Sequence, residues 1–233
     1  MSIPRRTFME RAVVGAAGLA ALTRSVRVMA KDLPSDPEAS AKKAPGPDEI
    51  ALAKFEKNAA FSLDQALLAR HSSRNYDPEG KISPEQLSRI LWAANGVNRP
   101  DGHRTTPSAM ARYPIEVFAA LPEGAYRYEV KEHKLVRVSA EDLREQIPFQ
   151  GGLKKAAMKL MYVLNHDILS GNDPWMADLE IGCMVQNVYL EAASLGLGCC
   201  VFAIAHYENI SKALKLKSSQ KFRITQAVGP LRD

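Results

Sequence analysis

Near the middle of the chain, "MKLMYVLN" (Met158 to Asn165) reads as one continuous apolar strand. A strand with no polar side has no face to give to water, so it belongs in the interior of a sheet that other elements cover. The rest of the chain supplies the cover. "SPEQLSRILWAANGV" opens with Ser83 as N-cap, Pro84 at the first helical position and Gln86 closing a capping box. Its buried stripe is Leu87, Ile90, Leu91 and Ala94. Helical patterns also cover residues 48–60, 63–70, 176–195 and 208–214, the third ended by Gly196 as a left-handed cap. "YPIEVFAAL", "CCVFAIA" and "FRITQAVG" read as strands, and "AYRYEVKEHKLVRVS" as a hairpin turning around residues 131–133. The expected class is α+β, a central mixed or antiparallel sheet flanked by helices. At 233 residues the chain can bury one sizeable core.

The net charge of +5 is mostly an N-terminal property, because residues 1–30 carry five arginines against one glutamate. That leaves no broad phosphate-binding face and no basic stripe with interleaved aromatics, so nucleic acid is not an expected partner. The same thirty residues read as a targeting segment. Adjacent arginines precede a weakly apolar run from Ala12 to Leu22, too short and too rich in Gly and Ala to span a bilayer. The stretch Arg5-Arg6-Thr7-Phe8-Met9 resembles the twin-arginine export signal, and "VMA" (Val28 to Ala30) ends on a small residue that a signal peptidase accepts. The resemblance implies export, in the folded state, to the periplasm. Residues 31–49, rich in Pro, Ala, Ser and charge, are expected to be a flexible linker, and the folded domain to cover 50–233. No further run is apolar enough to cross a membrane, so the mature chain is expected to be soluble without a span. Cys183, Cys199 and Cys200 form no C-x-x-C pair and have no zinc spacing with histidine; buried, inert thiols are the expectation. The five histidines are scattered, so no metal site is expected.

Three separated pieces carry chemistry. The first is Arg70-x-Ser72-x-Arg74 at the end of a helix, in "RHSSRNYD"; the second is "RTTPSAMARYPIEVF", and the third "QNVYLEAASLGLGCC". Arg70 and Arg74 stand four apart, which a helical turn would bring to one side. In shared order and spacing the three pieces resemble the FMN-dependent nitroreductase family. "RPDGHRTTPSAMARYP" and "GAYRYEVKEHKL" look most like its SagB-type dehydrogenase branch. The resemblance implies a nitroreductase-like fold, a homodimer and bound FMN.

By the same resemblance, Arg70, Ser72 and Arg74 hold the FMN phosphate, and Pro107-Ser108-Ala109 line the flavin ring. A backbone N–H near Ala203 faces the ring nitrogen, and Arg232 adds a basic contact to the phosphate. Where the family usually has Gly after this triplet, the chain has Met110, which either fills part of the substrate pocket or alters the contact with the flavin edge, or else packs into the core. The helix from Gln186 to Leu195 carries the apolar stripe that the family uses in its dimer. No catalytic triad emerges, and a cofactor that performs the hydride chemistry needs none. The implied activity is a ping-pong FMN oxidoreductase acting on small molecules, with NAD(P)H or another electron donor. The alternative is a non-catalytic flavin-binding or partner-binding module that retains the fold. The Lys-Tyr pair associated with azoline dehydrogenases is absent.

Overall fold

The computed structural model describes residues 46–56, 61–147, 151–169, 174–203 and 207–232. The proposed signal segment, and the linker up to residue 45, lie outside the described residues. In chain order the elements are β1 (Glu49–Ala51), α1 (Leu63–Ala69), α2 (Pro84–Asn95), β2 (Ile115–Leu121), β3 (Gly124–Glu129) and β4 (Lys134–Ser139). Then follow α3 (Gly151–Lys154), β5 (Met158–Asn165), α4 (His166–Leu169), α5 (Pro174–Ser194), β6 (Gly198–Phe202), α6 (Glu208–Ala213) and β7 (Gln220–Gly229).

The seven strands form one sheet in the order β1-β4-β3-β2-β5-β7-β6. Every neighbouring pair is antiparallel. As its sequence requires, β5 is interior, held between β2 and β7, and Met158 to Leu164 are all buried. Its side chains alternate between two covers. Met158, Leu160, Tyr162 and Leu164 pack with Ile90 and Leu91 of α2 and Ile181, Met184 and Val188 of α5. Met161 and Val163 face Leu143, Ile147, Ile210 and Leu214 on the other side.

Lys159 is the one charged residue in this strand and has no exposed surface. Its ammonium donates to the Arg144 carbonyl oxygen, beside the Arg144–Asp142 ion pair. Burial, with the nearby Arg144 guanidinium adding to it, pushes its pKa down to about 7.

Local signals are realised where they are strong. Ser83 and Gln86 form the capping box of α2, and Gly196 adopts φ +68° at the end of α5. The helix expected over 48–60 is not found. Gly46 to Asp48 make a turn, and β1 follows, pairing Glu49 with Val136 and Ile50 with Leu135. Lys134 reaches Glu49 at 2.6 Å. Pairing with the free edge of β4 overrides the local helical pattern; residues 57–60 of that expected helix lie outside the described residues.

Candidate active site

The stretch after α1 is built by long-range backbone bonds. Ser62 caps α1 through a capping box with Gln65, and the helix stops at Ala69. Arg70 is already extended (φ −61°, ψ 120°). Beyond it, Ser72 makes a parallel bridge with Cys199 of β6, and the Ser73 N–H donates to the Cys199 carbonyl at 2.9 Å. The Arg232 N–H donates to the Asn75 carbonyl at 3.0 Å, so Arg232 sits alongside this stretch.

A helical turn beneath Arg70 and Arg74 is therefore not what brings them together. In extended backbone alternate residues share a side; Arg70 and Ser72 both meet Tyr189, and Ser72 and Arg74 are exposed on either side of a buried Ser73. Ser73 is buried between them, and its hydroxyl has no hydrogen-bond partner in the structure. Gly198 makes the close approach possible, since a Cβ there would meet the Leu231 side chain at 2.3 Å and Ser73 at 3.2 Å.

Tyr189 of α5 fixes the geometry. Its hydroxyl lies 2.9 Å from Ser72 Oγ and accepts the Val201 N–H at 2.9 Å. The Arg70 guanidinium lies 5.4 Å from the centre of its ring.

The second group is the loop of residues 104–113. Thr105 and Thr106 donate their hydroxyls to the last carbonyls of α2, at Trp92, Ala93 and Ala94. Asn187 of α5 donates to the Thr105 carbonyl at 3.3 Å. Ser108 Oγ accepts the Tyr113 N–H at 2.8 Å, and the Arg104 guanidinium lies 4.2 Å from the Tyr113 ring centre. Met110, Ala111 and Tyr113 all have positive φ, at 55°, 54° and 53°. Such a cluster of left-handed, non-glycine residues stores strain. Met110 is 75 % exposed, which overturns the core-packing alternative, and its φ of 55° is why a glycine would suit that position.

Other expectations fare unevenly. Ala203 is exposed just past the end of β6, and its neighbours 204–206 lie outside the described residues. The stripe on residues 186–195 turns inward, since Val188, Tyr189 and Ala192 belong to the core of this chain. The exposed apolar residues of α5 are instead Trp175, Met176 and Leu179 in its first turns. Cys199 and Cys200 are buried free thiols, and burial pushes both pKa values up. Sequence reasoning missed Tyr189 and Asn187, two α5 side chains that reach the two groups.

A sequence profile of the Nitroreductase family matches residues 67–230. The chain belongs to the nitroreductase family. A nitroreductase-family protein of Methanocaldococcus jannaschii is 33% identical over 185 residues, 72% of this chain and 90% of that one. A nitroreductase-family crystal structure from Ralstonia eutropha is 31% identical with a TM-score of 0.75, covering 86% of this chain and 100% of that one. A nitroreductase-family structure from Desulfovibrio desulfuricans, solved in complex with FMN, is 19% identical with a TM-score of 0.55; it covers 74% of this chain and 88% of that one. Family membership makes the chain an oxidoreductase of the flavin-binding nitroreductase fold. The residues gathered here fit such a group: the Arg70 and Arg74 guanidiniums and the Ser72 hydroxyl are donors of the kind that a phosphate dianion would take, and Arg232 runs alongside them.

Proposed function

We propose that this nitroreductase-family chain depends on FMN, and passes a hydride or electron pair from one small molecule to another in ping-pong fashion. The observation that carries the reading is the convergence of Ser72 and Arg70 on Tyr189, with Arg74 exposed two positions on and the Arg232 backbone alongside. Arg70, Ser72 and Arg74 would hold the FMN phosphate, with Arg232 adding charge. Tyr189 keeps Ser72 and Arg70 in place for it. When bound, the flavin supplies the hydride chemistry. Pro107, Ser108 and Ala109 offer small surfaces to a planar ring, and the backbone near Ala203 offers a donor to it. Met110, exposed beside that triplet, is placed to touch substrate.

The likeness of Arg5-Arg6-Thr7-Phe8-Met9 to an export signal argues for a periplasmic enzyme, whose electron donor would be NAD(P)H or a carrier suited to that compartment. The loop and hairpin motifs favour the SagB-type branch, but without the Lys-Tyr pair azoline dehydrogenation is not the chemistry proposed. Exposed Leu63, Leu67 and Leu68 on α1, with Trp175, Met176 and Leu179 on α5, support a homodimer.

The test is an absorbance spectrum of the purified mature protein, repeated after dithionite and after NADH. Flavin bands that bleach with both reagents support the proposal with NADH as donor. Bleaching with dithionite alone supports it with a different donor. Bands that no donor bleaches favour the non-catalytic module. No bands, even after added FMN, refute the cofactor assignment.

A further inference from the structure

Among the described residues the charge on Arg104 has no counter-ion, and none of its side-chain N–H groups finds an acceptor. The fold nevertheless holds it firmly. Its backbone bridges Val97, and its N–H donates to the Tyr113 hydroxyl at 3.3 Å. Thr105 and Thr106, which follow it, are tied to the end of α2. The residue is half-buried, and its guanidinium lies against the ring of Tyr113, whose φ of 53° is strained backbone. The Glu180 carboxyl on α5 acts on it as a field, with no ion pair between them, and burial pulls the pKa of Arg104 below its ordinary value. A rigid, partly desolvated and unpaired guanidinium is costly until a ligand completes it.

Arg104 stands between two clefts, and their charges tell them apart. The cleft toward the β3–β4 hairpin, about 330 Å³, carries Glu116, Glu129 and Glu132, of which only Glu129 is ion-paired, to Arg127. The cleft toward residues 97–103, about 420 Å³, sets Arg104 and Lys131 against Asp101 alone, and Asp101 is engaged by His103 at 2.8 Å. Ala111 forms part of its wall, two positions past Ala109. We propose that this second cleft binds a carboxylate group of the substrate, with Arg104 as the specificity-determining residue and the exposed Lys131 at the rim. The guanidinium fork would take both carboxylate oxygens in bidentate fashion. Because Tyr113 already holds the fork in place, little side-chain freedom is lost on binding. The substrate class is thus a small organic acid. That step rests on the cofactor reading above, since the loop proposed to line the flavin ring shares Ala111 and Tyr113 with the cleft.

The test titrates benzoate, and benzamide as its neutral counterpart, into the full chain without flavin, followed by proton–nitrogen correlation NMR. Benzoate is expected to shift the Arg104 side-chain Nε–H and the amides of Ala111 and Lys131, with benzamide about tenfold weaker or more. Arg104→Gln should weaken benzoate by about tenfold or more and erase its advantage over benzamide. Lys131→Met, at the rim, should weaken it about twofold. An equal response to the two probes in the wild type would overturn the proposal, as would a preference for benzoate that survives in Arg104→Gln. Should that variant not fold, undiminished benzoate affinity in Lys131→Met would overturn it. With FMN added, benzoate should perturb the visible flavin bands at the concentrations that fill the cleft; bands indifferent to bound benzoate would overturn the substrate assignment. Failure to take up FMN would refute the cofactor reading alone, because the anion site is read without flavin.

Discussion

Replacing Tyr189 by Phe removes one oxygen and keeps the ring, so packing and the Arg70 contact persist while two hydrogen bonds vanish. The Val201 N–H would lose its acceptor in a half-buried position, costing about 1–2 kcal/mol, the lower part of the range for a stranded donor. Exposed Ser72 can turn to water, so its lost bond adds about 0.5 kcal/mol. The sum, about 2 kcal/mol, corresponds to a fall of roughly 4–8 °C in Tm for a domain of this size. Urea unfolding of Tyr189→Phe, Ser72→Ala and the double variant measures both the total and the coupling. We expect a coupling of about 0.5–1 kcal/mol between the two positions, because they share one bond. Flavin affinity should fall severalfold as the stretch carrying Arg70 and Ser72 loosens. A Tyr189→Phe variant within about 0.5 kcal/mol of wild type, and additive with Ser72→Ala, would refute the idea that this hydroxyl organises the site.

Arg74→Ala should weaken FMN binding by about 1.5–3 kcal/mol, the scale of one charge-assisted contact, and titration of flavin fluorescence reads it directly. Met110→Gly relieves a left-handed side chain at the cost of extra freedom in the unfolded chain, so a net gain of about 0.5–1 kcal/mol is expected in denaturant melts. Lys159 has a folded-state pKa lowered from 10.5 to about 7, so the unfolded chain binds more protons between those values. Stability contributed at this site therefore rises with pH through that window, by at most about 5 kcal/mol, and Lys159→Met should flatten the rise in melts taken from pH 7 to 10. Glu180 has the opposite sign, since its folded-state pKa is raised from 4.5 to about 7 and the folded chain binds the extra proton. Stability from that site falls as pH rises from 4.5 to 7, and Glu180→Gln should remove the fall.

What the sequence shows well is whatever neighbouring residues decide among themselves. Ser83, Pro84 and Gln86 specify the start of α2 without help, Gly196 ends α5, and the unbroken apolar character of β5 places it inside the sheet. The 48–60 segment fails this test because its fate is settled by β4, more than eighty residues away. The opening arginines are a subtler case. A spacing of four puts two residues on one side of a helix and equally on one side of a strand, so the sequence identifies the pair but not the backbone that presents it. Tyr189 and Asn187 carry no local signature at all. Each sits in a helix that reads as ordinary core, and its role comes from a partner about 80 to 120 positions distant.

The bridge between Ser72 and Cys199 has a consequence for the behaviour of the protein in solution. β6 is the last strand of the sheet, and a terminal strand leaves a row of unpaired N–H and C=O groups that can recruit another chain. Here the Ser73 N–H occupies the Cys199 carbonyl, and the Tyr189 hydroxyl occupies the Val201 N–H. The segment proposed to offer its arginines to a phosphate is thus also the guard of the sheet's open border. Variants that free it would be sticky as well as inactive, and a ligand that clamps it would act as a solubilising agent.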